Sequence, residues 1–473
     1  MTGPVSLDLH VDLAAAGGRR AALERALRTA IRDGRLRAGE RVPSTRGLAS
    51  DLGLARGTVA EAYAQLATEG YLRTSPGAPT RVATGLAPPT AAGDGAGDGA
   101  AMDPTPAADA PPRFDLRVGV PDVGSFPRAG WLRALRRALA AAPDHALIGG
   151  DPRGRPELRA ALAAYLGRTR GVIADPAHIV VCAGFTQALG VLCHALRDTA
   201  RVRALAMEDP CLHIHRDVVA STGLRVARLA VDDDGARPDP SGPGAGAVLL
   251  TPAHQFPLGG TLAPERRAAF VGRARARETV VVEDDYDGEF RYDRQPAGAL
   301  QGLGPEHVVY TGTASKALAP GLRLGWLVLP PRLVDPVVEA KRVFGDTQVL
   351  EQIALAEFIR SGAMDRHVRR MRQRYKRRRD ALLGLLRARA PRIKARGIAA
   401  GLHIVLDLAP AGLGEDEVMA RAARRSLALM PLRPFWHAAP GPGGDGVVVG
   451  YAAAPEHAYG QALSVLGDVL AGG

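Results

Sequence analysis

The stretch VVYTGTASKALAPGLRLGWLVLP, residues 308–330, decides how the rest of the chain is read. Its flanks, HVVYTG (307–312) and LGWLVLP (324–330), are continuous apolar runs of the kind that form buried strands covered on both faces. Between them runs a turn of small and hydroxyl-bearing residues that carries one lysine, Lys316. Lysine is scarce in this chain. Of 61 basic residues only Lys316, Lys341, Lys376 and Lys394 are not arginine, a bias typical of a GC-rich genome. The other three lysines stand in helical or arginine-rich contexts, where the ordinary reading is a solvated side chain. Lys316 alone follows a buried strand.

Further runs repeat the pattern of that strand. HIVVCAG (178–184), AVLLTP (247–252) and TVVVED (279–284) alternate with helical stretches, which predicts an α/β doubly wound core of parallel strands. Ligands of such sheets bind at the carboxyl ends of the strands. VVVEDDYDGEF ends a strand with Asp284 and Tyr286 two residues apart, projecting to one face. CAGFTQAL reads as strand, turn and helix, with the first helical N–H groups at Gly184, Phe185 and Thr186. Pyridoxal 5'-phosphate needs an amine for its imine, an acidic partner for its ring nitrogen and an anion site for its phosphate. Lys316 supplies the amine, Asp284 the acid and Tyr286 a hydrogen bond to the ring's 3-oxygen. Gly184, Phe185, Thr186, Thr313, Ser315 and Arg323 are the expected phosphate contacts.

At 473 residues the chain has room for two or three domains, and 46% hydrophobic with 23% charged residues reads as globular. No run reaches the roughly 18 apolar residues of a membrane helix, and no signal peptide is apparent. The three cysteines, Cys182, Cys193 and Cys211, show no metal-ligand spacing and read as reduced thiols, so no metal site and a cytoplasmic location are expected. Residues 83–113, which include PPTAAGDGAGDGAAMDPTPAADAPP, cannot bury enough apolar surface to offset their ordering and read as a flexible linker. The expected organisation is therefore a first domain over 1–82, the linker, and a second domain over 114–473 whose smaller α/β lobe begins near residue 364.

The first domain reads as helices. Leu23, Leu27 and Ile31 recur at helical spacing up to Gly34. In GERVPSTRGLASDLGL a cap at Ser44 or Thr45 opens a short helix, Gly53 turns the chain, and a further helix starts near Arg56 with Val59, Ala62 and Leu66 on its buried face. Helix, tight turn and helix at this length is the helix-turn-helix pattern, and its second helix would present Arg56, Gly57 and Thr58 to DNA. SPGAPTRVA then supplies two extended runs for a β-wing around Gly77. The net charge of +12 permits nucleic-acid binding, although residues 1–85 hold only 12 arginines against 8 acidic residues.

The words AIRDGRLRAGERVPSTRGLA, LGLARGTVAEAYAQL and EGYL resemble the GntR-type winged helix, which implies DNA contacts at Arg46, Arg56, Thr58 and Gly77. From about Phe114, FPRAGWLRALRRAL, GDPRGRPELRAALAAYL, TPAHQFPLGGTL and EDDYDGEF resemble fold-type I aminotransferases. Together the two halves resemble the MocR/GabR-type regulators, which implies a head-to-tail homodimer that binds a double-stranded DNA operator. The resemblance breaks at several positions. Leu212 stands where an aromatic would stack on the cofactor, Gly149 replaces a tyrosine, Phe256 replaces an asparagine, and Val448 replaces the arginine that grips an α-carboxylate. After Leu212, either His213 or His215 could take the aromatic's place, with two surface histidines as the favoured reading, and Arg433 could bind an acidic effector, with a solvated arginine as the favoured reading. The run of nine Lys/Arg from Arg366 to Arg379 reads as one face of a long helix, with a second DNA-facing surface as the alternative.

The expected function is a regulator that senses an amine or amino-acid-like effector through an aldimine at Lys316. Two alternatives stand beside it: a working aminotransferase with a tethering N-terminal domain, and a regulator that senses pyridoxal phosphate itself. Loss of the carboxylate arginine counts against a complete transamination cycle, because that grip orients the reacting bond.

Overall fold

A computed structural model describes residues 18–75, 78–84, 112–148, 150–199, 201–238, 245–293, 298–437 and 444–471. The chain divides into two compact units, Met1–Ala107 and Ala108–Gly473. The proposed wing glycine Gly77, Gly149 and most of the expected linker lie outside the described residues.

The first unit is built on α1 (Gly18–Arg32), α2 (Thr45–Leu52) and α3 (Arg56–Thr68), followed by β1 (Leu72–Arg73) and β2 (Arg81–Val82). Leu23, Leu27 and Ile31 of α1 meet Val59, Ala62 and Leu66 of α3 in one apolar core. The Ser44 hydroxyl accepts the N–H of Gly47 at 3.1 Å and so starts α2. Gly53 ends that helix at φ +63°, a conformation that glycine adopts without steric cost. Leu72 and Val82 pair across the antiparallel wing with both side chains in the core.

In the second unit β3 (Phe114–Asp115) precedes a mixed sheet. Its strands are β4 (Ile179–Cys182), β5 (Ala204–Asp209), β6 (Arg225–Asp232), β7 (Gly235–Ala236), β8 (Ala247–Leu250), β9 (Val280–Asp284), β10 (Val308–Thr313) and β11 (Gly325–Val328), in the order β4-β11-β10-β9-β8-β5-β6-β7. Pairings from β10 through β6 are parallel. Successive residues feed opposite cores: Ile179 and Val181 join one cluster, Val180 and Cys182 another. Helices Phe185–Asp198, His213–Ser221 and Pro264–Arg277 make the crossovers after β4, β5 and β8.

One strand departs from expectation. β11 runs antiparallel to both of its neighbours, β10 and β4. The physical reason is length, since residues 314–324 are too few to carry the chain back across the sheet for a parallel return.

A helix of 27 residues, Ala363–Arg389, about 40 Å long at 1.5 Å per residue, leads into the small lobe. There β12 (Lys394–Arg396), β13 (His403–Asp407), β14 (Leu427–Ala428), β15 (Met430–Pro431) and β16 (Gly446–Gly450) include the four-stranded sheet β12-β13-β16-β15, while β14 pairs with β3. No described helix is long and apolar enough to cross a membrane.

Candidate functional site

In the first unit, α2 and α3 place three of the expected DNA contacts at the surface. Arg46 and Arg56 are exposed, and Thr58 is half-buried in the first turn of α3. Neither arginine has a hydrogen-bond or ion-pair partner among the described residues. No side chain caps α3 at Ala55, so its first N–H groups face outward with the positive end of the helix dipole. A free guanidinium beside open backbone donors suits a phosphate or a guanine edge.

In the second unit, the site gathers at the carboxyl ends of β4, β9 and β10. Thr313 closes β10 and accepts the N–H of Ser315 at 3.1 Å, while its hydroxyl meets that of Ser315 at 2.9 Å. This turn presents Lys316, whose amine donates to the carbonyl of Gly119. Burial lowers the lysine's pKa and opposes the pull of Asp287 and Asp284, which favours the neutral, nucleophilic amine. Arg323, at φ +48°, donates to the Ala183 carbonyl at 2.7 Å and lays its guanidinium against Gly184. A Cβ on Gly184 would meet that guanidinium at 3.3 Å, and one on Gly325 would meet the Gly184 backbone at 3.0 Å. These glycines therefore bring the N-terminus of helix Phe185–Asp198 and Arg323 to one point. Thr186 is exposed there and Phe185 half-buried. A guanidinium at a helix N-terminus is the kind of donor set that could hold a phosphate-sized anion.

Asp284 ends β9, 5% exposed. Among the described residues no hydrogen-bond donor reaches its carboxylate. Burial first, then Asp285, raises its pKa, and the positive charge of Lys316 works against them. A cationic partner would relieve that position. Its neighbour Asp285 is already satisfied by the buried guanidinium of Arg170, 2.6 Å away, and by the hydroxyl of Tyr310.

Sequence reasoning missed a second group beside these residues. His254 Nδ1 donates to Asp287 at 3.0 Å, and Tyr286 donates its hydroxyl to the His254 carbonyl at 3.0 Å. His403 Nε2 donates to the Pro257 carbonyl at 3.1 Å, its ring 4.9 Å from that of His254. Burial beside His254 holds His403 neutral. The small lobe presses on this group, because a Cβ on Gly401 would lie 2.1 Å from His254. Ligand atoms of His254, Asp287 and His403 lie within 4.8 Å of one another, but the His254–Asp287 hydrogen bond and the Pro257 carbonyl already engage them. The available signal was the presence of His254 and Asp287 in the words TPAHQFPLGGTL and EDDYDGEF.

The positions where the resemblance breaks are mostly apolar in the structure. Val448 is buried in a cluster with Val405, Leu432 and Phe435, and Leu212, Phe256 and Val118 are half-buried against it. His213 and His215 are not surface histidines, which corrects the expectation. His215 lies with its ring 4.6 Å from Phe185, and burial together with the charge of Lys316 lowers its pKa to about 3. His213 has a buried Nδ1 with no partner. Both turn inward because helix His213–Ser221 packs beside helix Phe185–Asp198. Arg433 is exposed, as expected, and its guanidinium faces the exposed carboxylates of Asp416 at 3.3 Å and Asp445 at 3.8 Å.

Comparison with known proteins matches both units. Residues 19–82 match the family of bacterial regulatory proteins of the gntR type, and residues 112–436 match aminotransferase class I and II. The chain is 34% identical over 447 residues to the probable rhizopine catabolism regulatory protein MocR of Rhizobium meliloti, covering 90% of this chain and 88% of that one. It is 31% identical over 453 residues to the HTH-type pyridoxine biosynthesis transcriptional regulator PdxR of Corynebacterium glutamicum, covering 94% of each. Among solved structures, an archaeal alanine:glyoxylate aminotransferase superposes with a TM-score of 0.68 over 76% of this chain and 90% of its own, at 23% identity, a likeness of fold.

Proposed function

Because the chain belongs to the MocR-type transcriptional regulators, which join a GntR-type helix-turn-helix to an aminotransferase class I and II domain, we propose that it binds operator DNA through α3 and senses an amine through pyridoxal 5'-phosphate held on Lys316. The observation that carries the cofactor reading is Asp284, a buried carboxyl without a donor, facing the same space as the amine of Lys316. The residues fit the group. Asp284 would hold the protonated pyridine nitrogen, and Tyr286 the ring oxygen. Gly184, Phe185, Thr186, Thr313, Ser315 and Arg323 would hold the phosphate. When bound, the group supplies an electrophilic carbon that either Lys316 or an incoming amine can occupy.

The chain's own residues then distinguish the two conditions. Free Lys316 donates to the Gly119 carbonyl, whereas a Lys316 engaged with the cofactor would give up that contact, and Asp284 and Asp287 would act on the charge in either condition. The second unit would thereby adopt two arrangements. Coupling to DNA requires that the effector bind these unequally, and a homodimer is the assembly in which paired α3 helices read two half-sites.

Borohydride reduction followed by peptide mapping tests the cofactor assignment, and label on any peptide other than the one containing Lys316 refutes it. Arg56→Ala should weaken operator binding at least tenfold in a mobility-shift titration while leaving cofactor absorbance unchanged. Unchanged affinity removes α3 from the reading. A second reading, in which the cofactor itself is the signal, draws on the likeness to the pyridoxine biosynthesis regulator over 94% of each chain. It predicts that added pyridoxal phosphate alone changes operator affinity.

A further inference from the structure

Helix Arg128–Ala141 and helix Ala363–Arg389 meet near their N-terminal turns around a surface cleft of about 500 Å³. Its walls carry four arginines, Arg128, Arg133, Arg366 and Arg370, and no carboxylate among the described residues. All four are exposed, and none of them forms an ion pair among the described residues. The acidic groups of the neighbourhood are committed elsewhere. Asp122 is held by Arg374 at 2.7 Å and by Arg378, Asp365 by Arg168 at 2.9 Å, and Glu357 by Arg137 at 3.2 Å.

Three of the four guanidinium groups are nevertheless anchored. Arg128 donates to the Gly124 carbonyl at 3.3 Å, Arg366 to the Ser361 carbonyl at 3.2 Å, and Arg370 to His367 Nδ1 at 3.2 Å. All three acceptors are neutral, since burial keeps the His367 imidazole uncharged. A neutral acceptor fixes the direction of a guanidinium without cancelling its charge, and leaves its other N–H groups free to donate. Ala129 and Gly130 line the same cleft in the first turn of a helix that no side chain caps, which adds backbone donors. Like charges gathered round one cleft repel one another. Further along the long helix that repulsion is relieved by pairing, as at Arg374 and Arg378. In the cleft it is left for a ligand to relieve.

We propose that this cleft is a second ligand site, distinct from that at Lys316, and that it takes a small phosphorylated compound with two or more negative charges. Guanidinium forks match the oxygens of a phosphate two at a time. A monoanion would leave most of the four charges unanswered. Phe126, half-buried on the wall, offers apolar surface to the remainder of an organic phosphate. A concave space of this volume suits a small molecule better than the convex backbone of a duplex. The proposal does not depend on a cofactor at Lys316.

Inorganic pyrophosphate is the probe. It is titrated by calorimetry, at constant ionic strength, into full-length chain that has been incubated with pyridoxal phosphate and dialysed, with acetate as the monoanionic comparison. Saturation by pyrophosphate at millimolar concentration or below, and none by acetate, is expected. Arg128→Gln combined with Arg366→Gln should weaken pyrophosphate binding at least about tenfold, because each change removes a charge-assisted hydrogen bond. Thermal melts confirm that this variant is folded; if it is not, Arg133→Gln, whose side chain has no partner to lose, takes its place and should also weaken binding. Arg323→Gln at the Lys316 site and Arg56→Ala in α3 should leave the affinity unchanged. Absence of saturation, equal binding of acetate, or full affinity in the cleft variant overturns the proposal. So does a loss in Arg323→Gln or Arg56→Ala that matches the cleft variant, because the ion would then sit at the lysine site or on the first unit. A fall in operator affinity as large as the fall in pyrophosphate affinity in the cleft variant assigns the cleft to DNA, and overturns the proposal as well.

Discussion

His367 sits directly under the lysine turn, its Nε2 donating to the Ala317 carbonyl at 2.8 Å. Burial is the main cause that lowers its pKa to about 4, against about 6.5 in an unfolded chain. The folded state therefore refuses a proton that the unfolded state accepts. This contribution to stability is fully present above pH 6.5 and is lost as pH falls toward 4. Between pH 7 and pH 5 the loss is about 2 kcal/mol. Glu208, Glu283 and Glu289, whose pKa values burial raises to about 7, act in the opposite direction, so the whole-protein curve mixes the two. A variant isolates the histidine. His367→Gln keeps a donor for Ala317, and urea unfolding at the two pH values should show wild type losing about 2 kcal/mol relative to it. A difference that does not move with pH contradicts the assignment.

At the scale of elements, α2 depends on the Ser44 cap. Ser44→Ala should cost about 1 kcal/mol in chemical denaturation of the first unit, and loss of far-UV helix signal at lower denaturant would report it. Caps are also why this unit was legible: serine before and glycine after a short apolar period mark the ends of α2 in the sequence itself. β4, β8, β9 and β10 were legible because a strand buried on both faces must be apolar throughout. The direction of β11 was not, since hydrophobic pattern carries no information about which way a strand runs. Lys316, Asp284 and Tyr286 could be singled out because each lies at a strand end. His254, Asp287 and His403 meet only through the fold, and a pairing over such sequence separation has no local signature. His213 and His215 misled for a related reason, because a short polar helix packed over a site looks the same in sequence as one on the surface.

For the whole molecule, the question is where its positive charge does its work. Of the nine basic residues from Arg366 to Arg379, several are committed within the second unit. Arg374 pairs with Asp122 at 2.7 Å, Arg378 is buried and pairs with Glu456 at 2.7 Å, and Arg372 donates to the Glu289 carbonyl. Arg366, Arg369, Arg370, Lys376 and Arg377 are exposed. The committed members tie this helix into the second unit, and DNA affinity is expected to follow the first unit. Arg46→Ala should flatten the slope of log affinity against log salt by about one in fluorescence anisotropy titrations. Replacing Arg369 and Arg377 by alanine should leave that slope unchanged; a drop comparable to that of Arg46→Ala would assign the helix a share of the DNA surface.

Gly401 has a consequence for how these scales communicate. With no side chain of its own, it lets the small-lobe backbone rest on the His254 ring, whose Nδ1 holds Asp287, while the main-chain carbonyl of His254 accepts from Tyr286. Any side chain at position 401 would therefore have to push aside the His254 ring and Asp287 together, and with them the hydrogen bond that joins the two.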